Sequence, residues 1–136
     1  MSRKNLKDLS TRNPYHINHN RYLELKYFCF QYDEWKRQLR EITYLKSIQS
    51  KEINTNYISD RTSNIALKRR LLLSKCEMIE QTAIEVAPDF YQGLIKGITQ
   101  NISFEKLAAR GDVLVGQREY YFEYRRFFHV LDKKRG

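Results

Sequence analysis

Few residues in this chain could do chemistry, and most of them fall at helical spacing. Glu77 and Glu80, and Glu119 and Glu123, are carboxylate pairs three and four residues apart. Such pairs could serve acid–base chemistry or hold a cation for phosphodiester cleavage. The same spacing is what a solvated helix face uses for ion pairs, and Lys75 and Arg126 are placed for that. Tyr120, Tyr121 and Tyr124 could offer a phenolic nucleophile, as in tyrosine recombinases. That chemistry needs a dispersed set of Arg, His and Lys on a larger catalytic domain, so these tyrosines read as core. His16 and His19 form a pair with ligand spacing, but no Cys, Asp or Glu near them completes the four ligands of structural zinc. Cys29 and Cys76 are the only cysteines, and each lies in an apolar helical pattern, where a thiol acts as a small hydrophobe. A glycine-rich phosphate loop is missing, and no Ser–His–Asp order emerges. The expectation is a protein without catalysis, metal or cofactor.

The remaining feature is a basic, aromatic segment near the end. Projected at 100° per residue, Tyr120, Tyr121, Tyr124, Phe127, Phe128 and Leu131 gather on one side of a helix. Arg118, Phe122, Arg125, Arg126 and His129 gather on the other. The first side should pack on neighbouring helices. The second presents three cations around one aromatic ring. Arginine can hold a phosphate or grip guanine bidentately. The tail Lys133-Lys134-Arg135 adds charge.

Composition agrees with such a face. The 136 residues carry 25 Lys and Arg against 16 Asp and Glu, a net charge of +9, and the isoelectric point is near 9.6. That field favours a polyanion, with nucleic acid ahead of an anionic membrane surface. Ten Tyr, seven Phe and one Trp supply bulk for a core, whereas five Gly and two Pro are too few for the turns of an all-β fold. Neither a signal peptide nor an 18-residue apolar run is visible, and two unpaired thiols fit a reducing cytoplasm.

The elements that must position the basic face follow from periodicity. Residues 1–13 read as a flexible basic arm, ended by Asn13-Pro14. Residues 14–136 read as a single helical domain. Leu25, Phe28, Tyr32, Trp35, Leu39 and Ile42 step by three and four, giving helices near 19–31 and 34–48 with Asp33 as a cap. These two form an N-terminal helical hairpin, which a polar loop over 49–63 separates from the rest. A long helix over 64–87 carries the heptad Ile65, Leu72, Ile79, Val86, supported by Cys76 and Ala83. Leu67, Leu71 and Met78 widen its stripe, and the heptad leaves a homodimer open. Phe90 to Ile98 makes a short amphipathic helix after Pro88. Ser103 caps a brief helix over 104–110. Gly111 and Gly116 bracket a turn, and residues 117–131 make the last helix. The fold class is therefore all-α, with five or six helices.

A brief helix, a glycine-containing turn and a basic helix are the order of a helix-turn-helix, here at about 88–136. In that motif the start of the second helix enters the major groove. Gln117, Arg118, Tyr121 and Phe122 stand there, with Ser103 and Lys106 placed to hold phosphates. The connection from Ala108 to Gly116 is longer than the usual three or four residues.

The strings REYYFEYRRFFHVL (Arg118–Leu131) and ISFEKLAARG (Ile102–Gly111) resemble the C-termini of small regulators from phages and prophages of Gram-positive bacteria. Those are loosely related to the RinA and ArpU late-gene activators and to sigma-factor region 4. NPYHINHNRYLELKYFCFQYDEWK (Asn13–Lys36) resembles N-termini from the same group. The resemblance implies double-stranded DNA as partner and a role in transcription, with host RNA polymerase as a further partner. Two other roles fit the same features: a small terminase subunit, and a phage-encoded module that binds or inhibits a host protein.

Overall fold

The computed structural model describes residues 14–49 and 60–136, with side chains described over 14–45 and 63–136. The basic arm over 1–13 and most of the 49–63 loop lie outside the described residues. Six α-helices and no strands make up the rest: α1 (His19–Phe30), α2 (Tyr32–Gln49), α3 (Asp60–Val86), α4 (Tyr91–Thr99), α5 (Phe104–Ala109) and α6 (Gln117–Arg135). The all-α expectation holds. No helix among the described residues is long and apolar enough to cross a membrane.

Local chemistry sets the boundaries. The Asn18 side chain accepts the Asn20 N–H at 3.0 Å and starts α1. Only Gln31 separates α1 from α2, which carries Asp33 and Glu34 in its first turn, where acids suit the helix dipole. Asp33 therefore stands inside α2 and does not precede it. Helix α3 starts four residues before the expected Asn64 and ends before Pro88. Asn101 adopts φ 53° in the turn between α4 and α5, a left-handed conformation that asparagine tolerates. Helix α6 continues four residues past Leu131. Lys133, Lys134 and Arg135 are its last turn, where cations favour the dipole, and not a separate tail.

By packing, the chain falls into two compact units. One holds the described residues up to Gln31 together with Met78–Gly136, and the other holds Tyr32–Glu77. The second unit comprises α2 and most of α3. It buries Trp35, Ile42, Leu72 and Cys76, and the Lys75 ammonium lies 5.2 Å from the centre of the Trp35 ring. Leu67 and Leu71 do not widen the buried stripe. Each is 54% exposed, because both point 100° or more around the helix from Leu72.

The first unit joins α1 to α4 and α6, and α4 to α5 and α6. Helix α1 was expected to belong with its sequence neighbour α2, but it packs in the unit that holds α6. Tyr22 and Tyr124 share a buried hydroxyl–hydroxyl hydrogen bond of 2.9 Å. The Tyr22 ring meets Phe128 edge to face at 5.0 Å. Arg21 Nε donates to Asp132 Oδ1 at 2.6 Å, and the Arg135 guanidinium covers the Phe28 ring at 3.7 Å. Tyr120, Tyr121, Tyr124, Phe127, Phe128 and Leu131 are the buried residues of α6. They are the six that the helical projection places on one side.

Candidate nucleic-acid interface

The first unit has to hold α6 in a fixed orientation if its outer face is to meet a surface. Residues 110–116 decide this, because a long unsupported connection would leave that helix loosely placed. They are held against α4. The Asp112 N–H donates to the Leu107 carbonyl at 2.9 Å. The Asp112 carboxylate pairs with Lys96 at 3.3 Å, and Val113 is buried. The approach is close enough to require glycine at position 93, where a Cβ would collide with the Asp112 carbonyl and the Val113 side chain. Gly97 likewise makes room for the Tyr120 hydroxyl and Leu107. We expect Gly93→Ala to destabilise the protein by about 1–2 kcal/mol net, overpacking outweighing the gain in helix propensity. Thermal unfolding will read this as a lowered midpoint. An unchanged or raised midpoint would show that the connection gives way freely.

The outer face of α6 is less uniform than its sequence. Helix α6 is preceded by Gly116, which provides no side-chain cap, so the first-turn N–H groups meet no side-chain capping oxygen. Gln117 and Arg118 are exposed in that turn. Arg118 has no ion-pair partner among the described residues. Phe122, one turn on, is 42% exposed. The Arg126 guanidinium pairs with Glu123 at 3.2 Å. Burial raises the Glu123 carboxyl above its ordinary range, and the Arg126 charge acts against that rise. Arg125 is half-buried, and burial pulls its guanidinium pKa down.

The other residues expected at the interface fall in several places. Ser103 Oγ accepts the Lys106 N–H at 3.4 Å and caps α5, and the Lys106 side chain is exposed. Tyr121 is buried, packed against Tyr120, Tyr124 and Phe104. Burial raises its phenol pKa, and the ring belongs to the core. Lys133 is exposed. Lys134 stands 4.0 Å from Glu85, and Arg135 is stacked on Phe28. The structure thus groups Gln117, Arg118 and Phe122 at the start of α6, continues along that face to Arg125, Arg126 and His129, and sets Tyr121 apart.

Two residues outside the helices carry no periodic mark in the sequence. Tyr15, ahead of α1, lies edge to face with Phe122 at 5.5 Å and near His129 at 5.3 Å. It therefore covers part of the outer face. Leu114, in the connection, is 90% exposed, more than any other large hydrophobic side chain described. Its neighbours Val113 and Val115 are buried and half-buried, a contrast that a three-residue apolar run cannot announce. His16 and His19 are exposed, and no group of three potential metal ligands occurs among the described residues.

Comparison of the chain with protein-family models, with curated proteins and with solved structures finds no match.

Proposed function

We propose that this protein binds double-stranded DNA through α6, with α5, the connection and α6 working as a helix-turn-helix, and that it controls transcription of phage or mobile-element genes. The observation that carries the DNA reading is the division of α6 into two sides. Six apolar side chains are spent on the core, which leaves Gln117, Arg118 and Phe122 outward in the first turns and Arg125 and Arg126 further along. In a helix-turn-helix, the first residues of the second helix reach base edges while lysine and arginine hold the backbone. The uncapped N–H groups at Gln117 favour an anion as well. The anchored connection supports the reading, because a docking helix has to be fixed before it meets the groove. The assignment to phage transcription rests on the sequence resemblance.

The test is a salt titration of affinity for duplex DNA. If about five cations neutralise phosphates, log affinity falls against log salt with a slope of roughly −4 to −5. Absence of binding at low salt, or binding that ignores salt, overturns the proposal. Selection from a random DNA pool then distinguishes a defined operator from binding without sequence preference.

A further inference from the structure

The second unit carries a surface that the DNA reading does not use. Helices α2 and α3 enclose an open groove of about 480 Å³ lined by Lys36, Leu39, Arg40 and Thr43 from α2 and by Arg69 and Leu73 from α3. The α2 residues are spaced by three, one and three, and the α3 residues by four, so each set forms one face of its helix. Among the described residues, three cations line this groove and no acid does. Leu39 and Leu73 give it an apolar floor. A second hollow of about 450 Å³ shares Arg40 and adds Glu41, Tyr44 and Leu45. Tyr44 and Leu45 are exposed, Tyr44 by 67%.

We propose that this groove is the docking site for an acidic, amphipathic helix of another protein. Charge complementarity selects the occupant. An amphipathic helix sets apolar residues into a groove at helical spacing and carries its charges along the flanks. Leu39, Leu73 and Leu45 meet the apolar side, while Arg40 and Arg69 meet glutamates or aspartates. A phosphodiester backbone satisfies the cations but leaves the leucines without a partner. A second copy of this chain fits poorly, because its net charge is +9. The acids of α2 nearest the groove, Glu34 and Glu41, are moreover already paired with Arg37. The proposal does not depend on α6 binding DNA.

The probe is a fluorescent synthetic helix with leucine at positions i, i+3, i+4 and i+7 and glutamate elsewhere, titrated with the full chain and read by anisotropy. A scrambled peptide of the same composition and a duplex oligonucleotide are the comparisons. The amphipathic peptide should bind at least about tenfold more tightly than the scramble, since only it can fill the floor and the rim together. Arg40→Glu with Arg69→Glu should remove about tenfold or more of that affinity and leave duplex binding within about threefold, because α6 is untouched. The milder pair Arg40→Ser and Arg69→Ser should lower it in the same direction. Helix content and the unfolding midpoint, measured in parallel, show that the variants fold. Equal binding of the scramble overturns the proposal. So does a reversal variant that loses duplex affinity as strongly as peptide affinity, which would make the groove a phosphate site. A chain that sediments as a dimer and is dissociated by the same substitutions also overturns it, in favour of self-association.

Discussion

Substituting Arg118, Arg125 and Arg126 together by alanine is expected to lower affinity for duplex DNA by about a hundredfold or more, since each arginine contact to a base or phosphate is worth roughly 1–3 kcal/mol. Fluorescence anisotropy at fixed salt reads this directly, and circular dichroism confirms that the helices persist. The three positions do not contribute alike. Arg118 is exposed without an ion-pair partner among the described residues, so its guanidinium is available at once. Arg126 shares its charge with Glu123, 3.2 Å away, which leaves less of that charge for a phosphate. Arg125 is half-buried and disfavoured as a cation by burial, so its substitution also touches packing. Arg118→Ala alone should account for the largest single share. Affinity of the triple variant within about threefold of the wild type would remove the outer face of α6 from consideration.

Phe128→Ala should reduce stability by about 3–5 kcal/mol, the range for removing a fully buried phenylalanine ring. Phe128 is inaccessible to solvent and touches three rings: Tyr22 at 5.0 Å, Tyr124 at 5.1 Å and Phe127 at 5.2 Å. Its loss opens a cavity where α1 meets α6 and slackens the Tyr22–Tyr124 hydroxyl pair beside it. A loss of that size is a large part of the roughly 5–15 kcal/mol that holds a typical domain together. Denaturant unfolding gives the magnitude. A midpoint unchanged from the wild type would mean that α1 does not depend on this ring for its place.

Periodicity and long-range packing were not equally legible in the sequence. The buried side of α6 can be read from a projection because one helix lying on a core repeats its apolar residues every three or four positions. The same logic places Leu72, Cys76, Ile79, Ala83 and Val86 inward along α3. It overreaches at Leu67 and Leu71, where apolar type alone does not say whether a neighbouring element arrives to cover the face. The unit that α1 joins was illegible, because Tyr22 meeting Tyr124 is a contact between residues 102 positions apart and leaves no local trace. The candidate site shows both sides. Arg118 and Phe122 can be found by counting along the helix. Tyr15 is brought to them only by the folded chain, and Tyr121 cannot be both a core ring and a groove contact. The length of the connection after Ala108 is plain in the sequence. Its restraint through Gly93, Val113 and the Lys96–Asp112 pair depends on how α4 lies beneath it.

The packing of α1 against α6 also bears on how the chain folds as it is made. The first unit is assembled from two stretches of sequence, and the second unit is inserted between them. Helix α1 leaves the ribosome long before α6 exists, with Tyr22, Leu25, Phe28 and Cys29 lacking the helix that later helps bury them. The inserted unit can complete its own contacts first. Closing the first unit then joins residues separated by the whole insertion, and the entropy of that closure grows only as the logarithm of the intervening length. Helix α1 therefore lacks its packing partners α4 and α6 early in synthesis, and the interval is one in which a chaperone, or the same segment of another chain, could engage it before they arrive.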